Sequence, residues 1–209
     1  MNSKRHNVSI FLLTAILLGI GLTSCSSTAR LPRLADDAVV VAFGDSITFG
    51  TGANPQESYP AVLEKLIGRR VVNAGVPGEV TANGLSRLPE ILEREKPALL
   101  ILCHGGNDQL RRLNLQQTAD NIREMIRLAK QRGVGVVIIA VPSPGIFVSP
   151  ALFYLDIAKE LTIPLEEKTL SLVLADGSLK SDYIHPNAAG YRHLAEALAA
   201  LLKKSGAID

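Results

Sequence analysis

In Val39-Val40-Val41-Ala42-Phe43-Gly44-Asp45-Ser46-Ile47-Thr48-Phe49-Gly50, a run of apolar residues stops abruptly at Gly-Asp-Ser. A short run bounded in this way reads as a strand buried on both faces, as in parallel sheets, whose carboxyl end opens into a tight turn carrying a hydroxyl. Ligands of open α/β sheets bind outside the carboxyl ends of the strands, so Ser46 stands where a nucleophile belongs. The same three residues are ordinary turn composition, and alone they leave a plain turn as the alternative.

Downstream the chain alternates helical and strand patterns. A helix is expected over Glu57 to Ile67, closed by Gly68, and a short strand at Val71-Val72 leads into Asn73-Ala74-Gly75-Val76-Pro77-Gly78. Asn83 caps a helix reaching Arg94 with Leu85, Leu88, Ile91 and Leu92 inward. Ala98 to Cys103 is apolar throughout and predicts a central strand that opens into His104-Gly105-Gly106-Asn107-Asp108. An amphipathic helix from Leu115 to Gln131, ended by Gly133, precedes a strand at Val136 to Ala140. A loop over Pro142 to Pro150, a helix over Ala151 to Leu161, a short strand at Ile163 to Leu165, a loop over Leu179 to Asn187 and a helix from Ala188 to Lys203 follow. Strands alternating with helices predict one three-layer α/β/α domain over residues 39–209, with a mostly parallel, doubly wound, flavodoxin-like sheet of five strands.

Upstream, Lys4 and Arg5 precede an apolar run from Val8 to Leu22, shorter than the roughly 18 residues of a spanning helix. Leu22-Thr23-Ser24-Cys25 resembles the lipobox of bacterial lipoproteins. That resemblance implies a signal peptide over residues 1–24, acylation of Cys25, and a lipid-anchored tether over residues 25–38. Ser26 in place of aspartate implies the outer membrane of a bacterial envelope. An ordinary signal with an incidental cysteine is the alternative.

The formal charge is +2 over 209 residues, and no basic run with interleaved aromatics occurs, so nucleic acid is not an expected partner. Acylation of Cys25 would leave Cys103 a lone thiol, expected to be buried. His104, His185 and His193 show no zinc-ligand spacing.

Four loops now stand at or beside strand ends, and together they resemble the SGNH, or GDSL, hydrolase family. The blocks appear in order: Gly44-Asp45-Ser46-Ile47, Asn73-Ala74-Gly75, Gly105-Gly106-Asn107-Asp108, and Asp182-Tyr183-Ile184-His185. Within the family, Gly105 to Arg111 and Asp182 to Asn187 are most similar to small bacterial enzymes acting on acyl-CoA thioesters, lysophospholipids and aryl esters. Ile47 stands where the family name has leucine, and Cys103-His104 does not map onto the pattern.

The chemistry asks for the same residue types. A serine hydroxyl needs a base within hydrogen-bond reach, and His185 is the best placed histidine. Asp182, three residues earlier, can take the other ring N–H and stabilise the imidazolium. The resemblance further implies an oxyanion hole made by the Ser46 and Gly75 backbone N–H groups and the Asn107 amide. Ile146, Phe147 and Val148 are candidates for an acyl-chain groove, or equally a cover for the following helix.

Asp45 and Asp108 are expected to bond local backbone as turn formers. Cys103 and His104, adjacent along a strand, point to opposite faces and cannot form a dyad. His104 is expected on the cleft rim or as an exposed loop residue, and His193 as a packed or surface helix residue.

The expectation is therefore a lipid-anchored serine ester hydrolase of arylesterase, lysophospholipase or thioesterase type. It would cleave small-molecule or lipid esters through an acyl-enzyme, with neither metal nor cofactor. A carbohydrate or peptidoglycan O-acetylesterase is the enzymatic alternative, and a non-catalytic envelope binding lipoprotein the alternative of another class.

Overall fold

The computed structural model describes residues 29–143 and 149–209. The expected signal peptide, Cys25 and the groove residues Ile146, Phe147 and Val148 lie outside them. In chain order the elements are β1 (Val40–Gly44), α1 (Ser46–Phe49), α2 (Tyr59–Ile67), β2 (Val71–Gly75), α3 (Thr81–Glu95), β3 (Leu99–Cys103), α4 (Gly106–Leu110), α5 (Leu115–Gln131) and β4 (Gly135–Ile139). Then come β5 (Pro142–Ser143), β6 (Ser149–Pro150), α6 (Phe153–Leu161), β7 (Leu165–Glu166), α7 (Thr169–Ala175) and α8 (Ala188–Lys204).

The main sheet has the order β2-β1-β3-β4-β7, and every pair in it is parallel. This is the doubly wound order whose strand sequence reverses between β1 and β3, and the crevice at such a reversal is where ligands bind. β1 and β3 are buried along their whole length, as strands covered on both faces must be. On one side α2 packs on α8, and on the other α3 packs on α5. α5 earns its place through one apolar stripe, Ile122, Met125, Ile126 and Ala129, all fully buried, and its first turn is capped by the Asn114 side chain.

Register then sets the site. Gly44 is level with Gly75 on β2 and with Cys103 on β3, so three loops leave the sheet at one height. They begin at Asp45, Val76 and His104.

Five local expectations need correction. Asn83 does not cap α3 but lies in its first turn, after Val80. β2 runs on to Gly75, because Asn73, Ala74 and Gly75 pair with Ala42, Phe43 and Gly44 despite their loop-like composition. The segment over residues 142–150 is not wholly loop, since Pro142–Ser143 pairs antiparallel with Ser149–Pro150. α7 was not expected: its start is held by Glu166, whose carboxylate accepts the Thr169 N–H and hydroxyl from within β7. Lastly, the stretch expected as tether is docked in part. Leu31 and Leu34 donate their N–H groups to Ser205 and Ala207, and Leu34 and Ala38 join the core, because their apolar side chains find cover there.

Candidate active site

Asp45 ends the β1 run and caps α1, its Oδ1 accepting the Ile47 N–H at 3.0 Å. Ser46 is thereby the first residue of a helix, where backbone N–H groups have no intrahelical acceptor. Its Oγ lies 2.9 Å from His185 Nε2, and His185 Nδ1 lies 2.7 Å from Asp182 Oδ2. Asp182 Oδ1 accepts the N–H groups of Ile184 and His185 at 2.8 and 2.9 Å, so one short turn fixes carboxylate and ring together. Partial burial pushes the Asp182 carboxyl up, but the hydrogen bonds from the His185 ring, Ile184 and His185 outweigh it and hold the group below its ordinary value. An ionised carboxylate only accepts, so Nδ1 carries the ring proton and Nε2 presents its lone pair to the Ser46 hydroxyl.

The loop bearing this pair is itself clamped. Ser181 N–H donates to the His185 carbonyl at 3.0 Å, and Asn187 donates from its backbone to Leu179 and from its side chain to Ser178. Asn187 Oδ1 also caps α8 by accepting the Gly190 N–H.

Asn107, on α4, donates from Nδ2 to Asp45 Oδ2 at 3.1 Å. A primary amide has two N–H bonds, so one remains for a ligand. Asp45 is buried, and that burial pushes its carboxyl up, against the opposing influence of His104, Ile47 and Asn107.

Gly75 is placed differently from expectation. Its N–H donates to Asn73 Oδ1 at 3.0 Å and is not a free donor. What the position requires is the absence of a side chain, since a Cβ there would lie 2.1 Å from Phe49 N in the helix that carries Ser46. Gly78 N–H and Val80 N–H are the donors of this loop with no protein acceptor among the described residues, and Gly78 is the one at the corner of the turn. Val76 N–H is fixed to the Gly44 carbonyl, and Glu79 N–H to the Val76 carbonyl, with Pro77 and Gly78 (φ 78°) at the corner. The Pro-Gly pair of such a turn was the signal in the sequence.

Beside Ser46 opens a cavity of about 270 Å³ whose apolar wall includes Leu110, Val141, Pro142, Leu174 and Ile184. These come from four separate segments, so no local periodicity marks them in advance.

The remaining polar expectations divide. Asp45 bonds local backbone as expected and reaches Asn107 besides. Asp108 does not: its carboxylate accepts the N–H and hydroxyl of Thr81, 27 residues away, which ties α4 to α3. His104 is neither on the rim nor exposed, for its side chain is fully buried against Glu79. Cys103 is buried, which pushes its thiol well up, and His193 is exposed on α8.

A hydroxyl, an imidazole and a carboxylate in hydrogen-bonded series, beside an apolar cavity at the reversal of a doubly wound sheet, define the serine-hydrolase type of site. Residues 42–193 match the family model of the GDSL-like lipase/acylhydrolase family, and the chain belongs to that family. Among its relatives is esterase TesA of Pseudomonas aeruginosa, 30% identical over 196 residues that span 87% of this chain and 96% of that protein. Another is thioesterase 1/protease 1/lysophospholipase L1 of Escherichia coli K12, 27% identical over 82% of this chain and 86% of that one. The crystal structure of TesA superposes with a TM-score of 0.74, covering 79% of this chain and 98% of that one.

Proposed function

We propose that this chain hydrolyses carboxylic esters and thioesters through an acyl-enzyme formed on Ser46. The observation that carries the reading is the unbroken series from Ser46 Oγ through His185 to Asp182, at 2.9 and 2.7 Å. His185 Nε2 takes the hydroxyl proton as Oγ attacks the carbonyl carbon, and Asp182 stabilises the resulting imidazolium. The imidazolium then gives its proton to the leaving alcohol or thiol. Water, activated by the same nitrogen, releases the acid and restores Ser46.

The developing oxyanion needs donors that are already aimed. Ser46 N–H and the second Asn107 N–H are two. We assign the third to Gly78 N–H in place of Gly75, whose N–H is engaged by Asn73. Gly78 is tied to α4, because Arg111 donates to its carbonyl at 2.8 Å.

The apolar cavity wall favours acyl groups longer than acetyl, since each buried methylene contributes about 0.8 kcal/mol. The relatives' names, which include esterase and lysophospholipase, agree with that substrate class. At the amino terminus, the lipobox-like Leu22 to Cys25 supports removal of residues 1–24, acylation of Cys25 and attachment to the bacterial envelope, in the outer membrane.

Ser46→Ala tests the chemistry. Turnover of p-nitrophenyl octanoate and labelling by a fluorophosphonate should both vanish while the thermal melt is unchanged, and retained turnover rejects the assignment. In the parent protein octanoyl should exceed acetyl ester in kcat/KM, and a steep acetyl preference would replace this reading with an O-acetylesterase. Cys25→Ala should move the protein from the membrane fraction to the soluble one.

A further inference from the structure

The sequence departs from the family pattern at Cys103-His104, and the hydrolytic mechanism uses neither residue. His104 nevertheless sits at a junction. Its Nε2 is 3.0 Å from Glu79 Oε2, and Glu79 is held in a two-pronged pair by Arg87, with Nε to Oε1 at 2.9 Å and Nη2 to Oε2 at 2.7 Å. Arg87 also donates to the Ala74 carbonyl at the end of β2 and stacks 4.2 Å over the Phe43 ring in β1. The His104 carbonyl accepts the Tyr154 hydroxyl at 2.6 Å. Gly84 in α3 makes the room, since a Cβ there would lie 2.4 Å from His104 Nε2.

Burial pushes the Glu79 carboxyl up, but the bonds and charges of His104 and Arg87 prevail and hold it at about 2. Glu79 is therefore an acceptor only, and Nε2 must be the donor of the pair. The other ring nitrogen, Nδ1, has no partner among the described residues. A buried polar atom left so costs about 1–3 kcal/mol, which an apolar side chain at this position would avoid. The histidine is thus held for what Nε2 does.

Its position says what that is. Glu79 follows Gly78 directly, and His104 stands three residues before Asn107. We propose that the buried His104–Glu79–Arg87 cluster is a strut that sets the distance between the Gly78 and Asn107 donors of the oxyanion hole. It rests on the reading given under Proposed function and adds positioning residues to it, none of which touches the substrate. The two donors sit on segments that leave β2 and β3, the strands on either side of β1, at their carboxyl ends. Arg111 and the Asp108–Thr81 bonds also join these segments, and the strut is the link that runs between the residue after Gly78 and the residue that opens the β3 loop. Preorganised donors act only where their geometry is kept, so a loosened strut would slow chemistry without weakening ground-state binding.

The test uses Glu79→Gln, His104→Gln and the double variant in the full domain, with p-nitrophenyl octanoate. Burst titration counts the sites that acylate, and steady-state rates are expressed per titrated site. Removing a whole oxyanion donor costs about 10²–10³ in rate, so displacing two should lower kcat per site by about ten- to hundredfold. KM should change less than about threefold, and the double variant should be no slower than about twofold below the worse single, because the residues act as one unit. The pH dependence of kcat/KM should keep its shape, since Ser46, His185 and Asp182 are untouched. Rates per site within about twofold of the parent, or a loss confined to burst amplitude or KM, overturn the strut. If His104→Gln does not fold, the isosteric Glu79→Gln decides alone. An active Ser46→Ala would instead overturn the hydrolytic reading itself, which separates the two failures.

Discussion

Asp45 Oδ2 accepts the Asn107 side-chain N–H at 3.1 Å across 62 residues of sequence, while Oδ1 of the same carboxylate caps the helix that begins at Ser46. One buried group thereby fixes both the attacking residue and a donor for the charge that attack creates. Asp45→Asn keeps the size but turns an N–H toward the Asn107 N–H. We expect kcat to fall by about tenfold or more, and Asn107→Ala by the 10²–10³ of a lost donor. Steady-state kinetics beside a thermal melt check this, and an unchanged kcat in Asn107→Ala would remove Asn107 from the hole.

Asp182 offers a graded expectation. A fully buried triad carboxylate changed to its amide costs about 10⁴ in kcat. The Asp182 side chain is 50% exposed, so water can partly replace it, and Asp182→Asn should cost nearer 10²–10³. Because its folded pKa is lowered, its contribution to stability is full above the ordinary carboxylate range and is lost only as pH falls through the lowered value. Steady-state kinetics of Asp182→Asn check the graded loss, and a full loss of about 10⁴ or no loss at all would contradict it.

Two glycines separate packing from conformation. A methyl at Gly75 meets backbone atoms of Thr48 and Phe49 at 2.7 and 2.1 Å, and backbone cannot swing aside as a side chain can. Gly75→Ala should destabilise by about 1–3 kcal/mol and displace α1, lowering activity with it. Gly177→Ala has nothing within 4 Å and no positive φ, so it should leave both melt and rate unchanged. Equal melts for the two variants would show that α1 gives way without cost.

The sequence was most legible where periodicity and burial act alone. β1 and β3 read correctly because strands buried on both faces are continuous apolar runs, and α5 was bounded to the residue by Leu115 and Gln131. Ser46, Asp182 and His185 could be named because they fall in the first and last of four ordered blocks that resemble the family, and they lie in one hydrogen-bonded series. Features built by tertiary contact were not legible. Asn73 to Gly75 look like loop but pair as strand, α7 starts on a glutamate from the preceding strand, and Leu31 to Ala38 look like linker until the carboxyl terminus covers them. Gly75 and Gly78 are both glycines near the end of β2, and they are told apart only in the structure, where Gly75 N–H donates to Asn73 Oδ1.

Glu79 gives the fold a pH dependence on the acid side. Its carboxyl is depressed from the ordinary 4.5 to about 2 by bonds to His104 and Arg87 that outweigh its burial. A depressed folded value means that the charged form is favoured by folding, so the unfolded chain binds the proton more tightly. Stability from this group is complete above about pH 4.5, the value of the free side chain, and drains away as pH falls toward about 2. Glu79→Gln cannot take up that proton, so its stability lacks this part of the acid slope. Urea denaturation at pH 6, 4 and 3 should show the parent well above the variant at pH 6 and the gap narrowing at each step down. A gap that stays constant with pH would mean that Glu79 is not preferentially ionised in the folded protein, and that Nε2 of His104 need not be the donor.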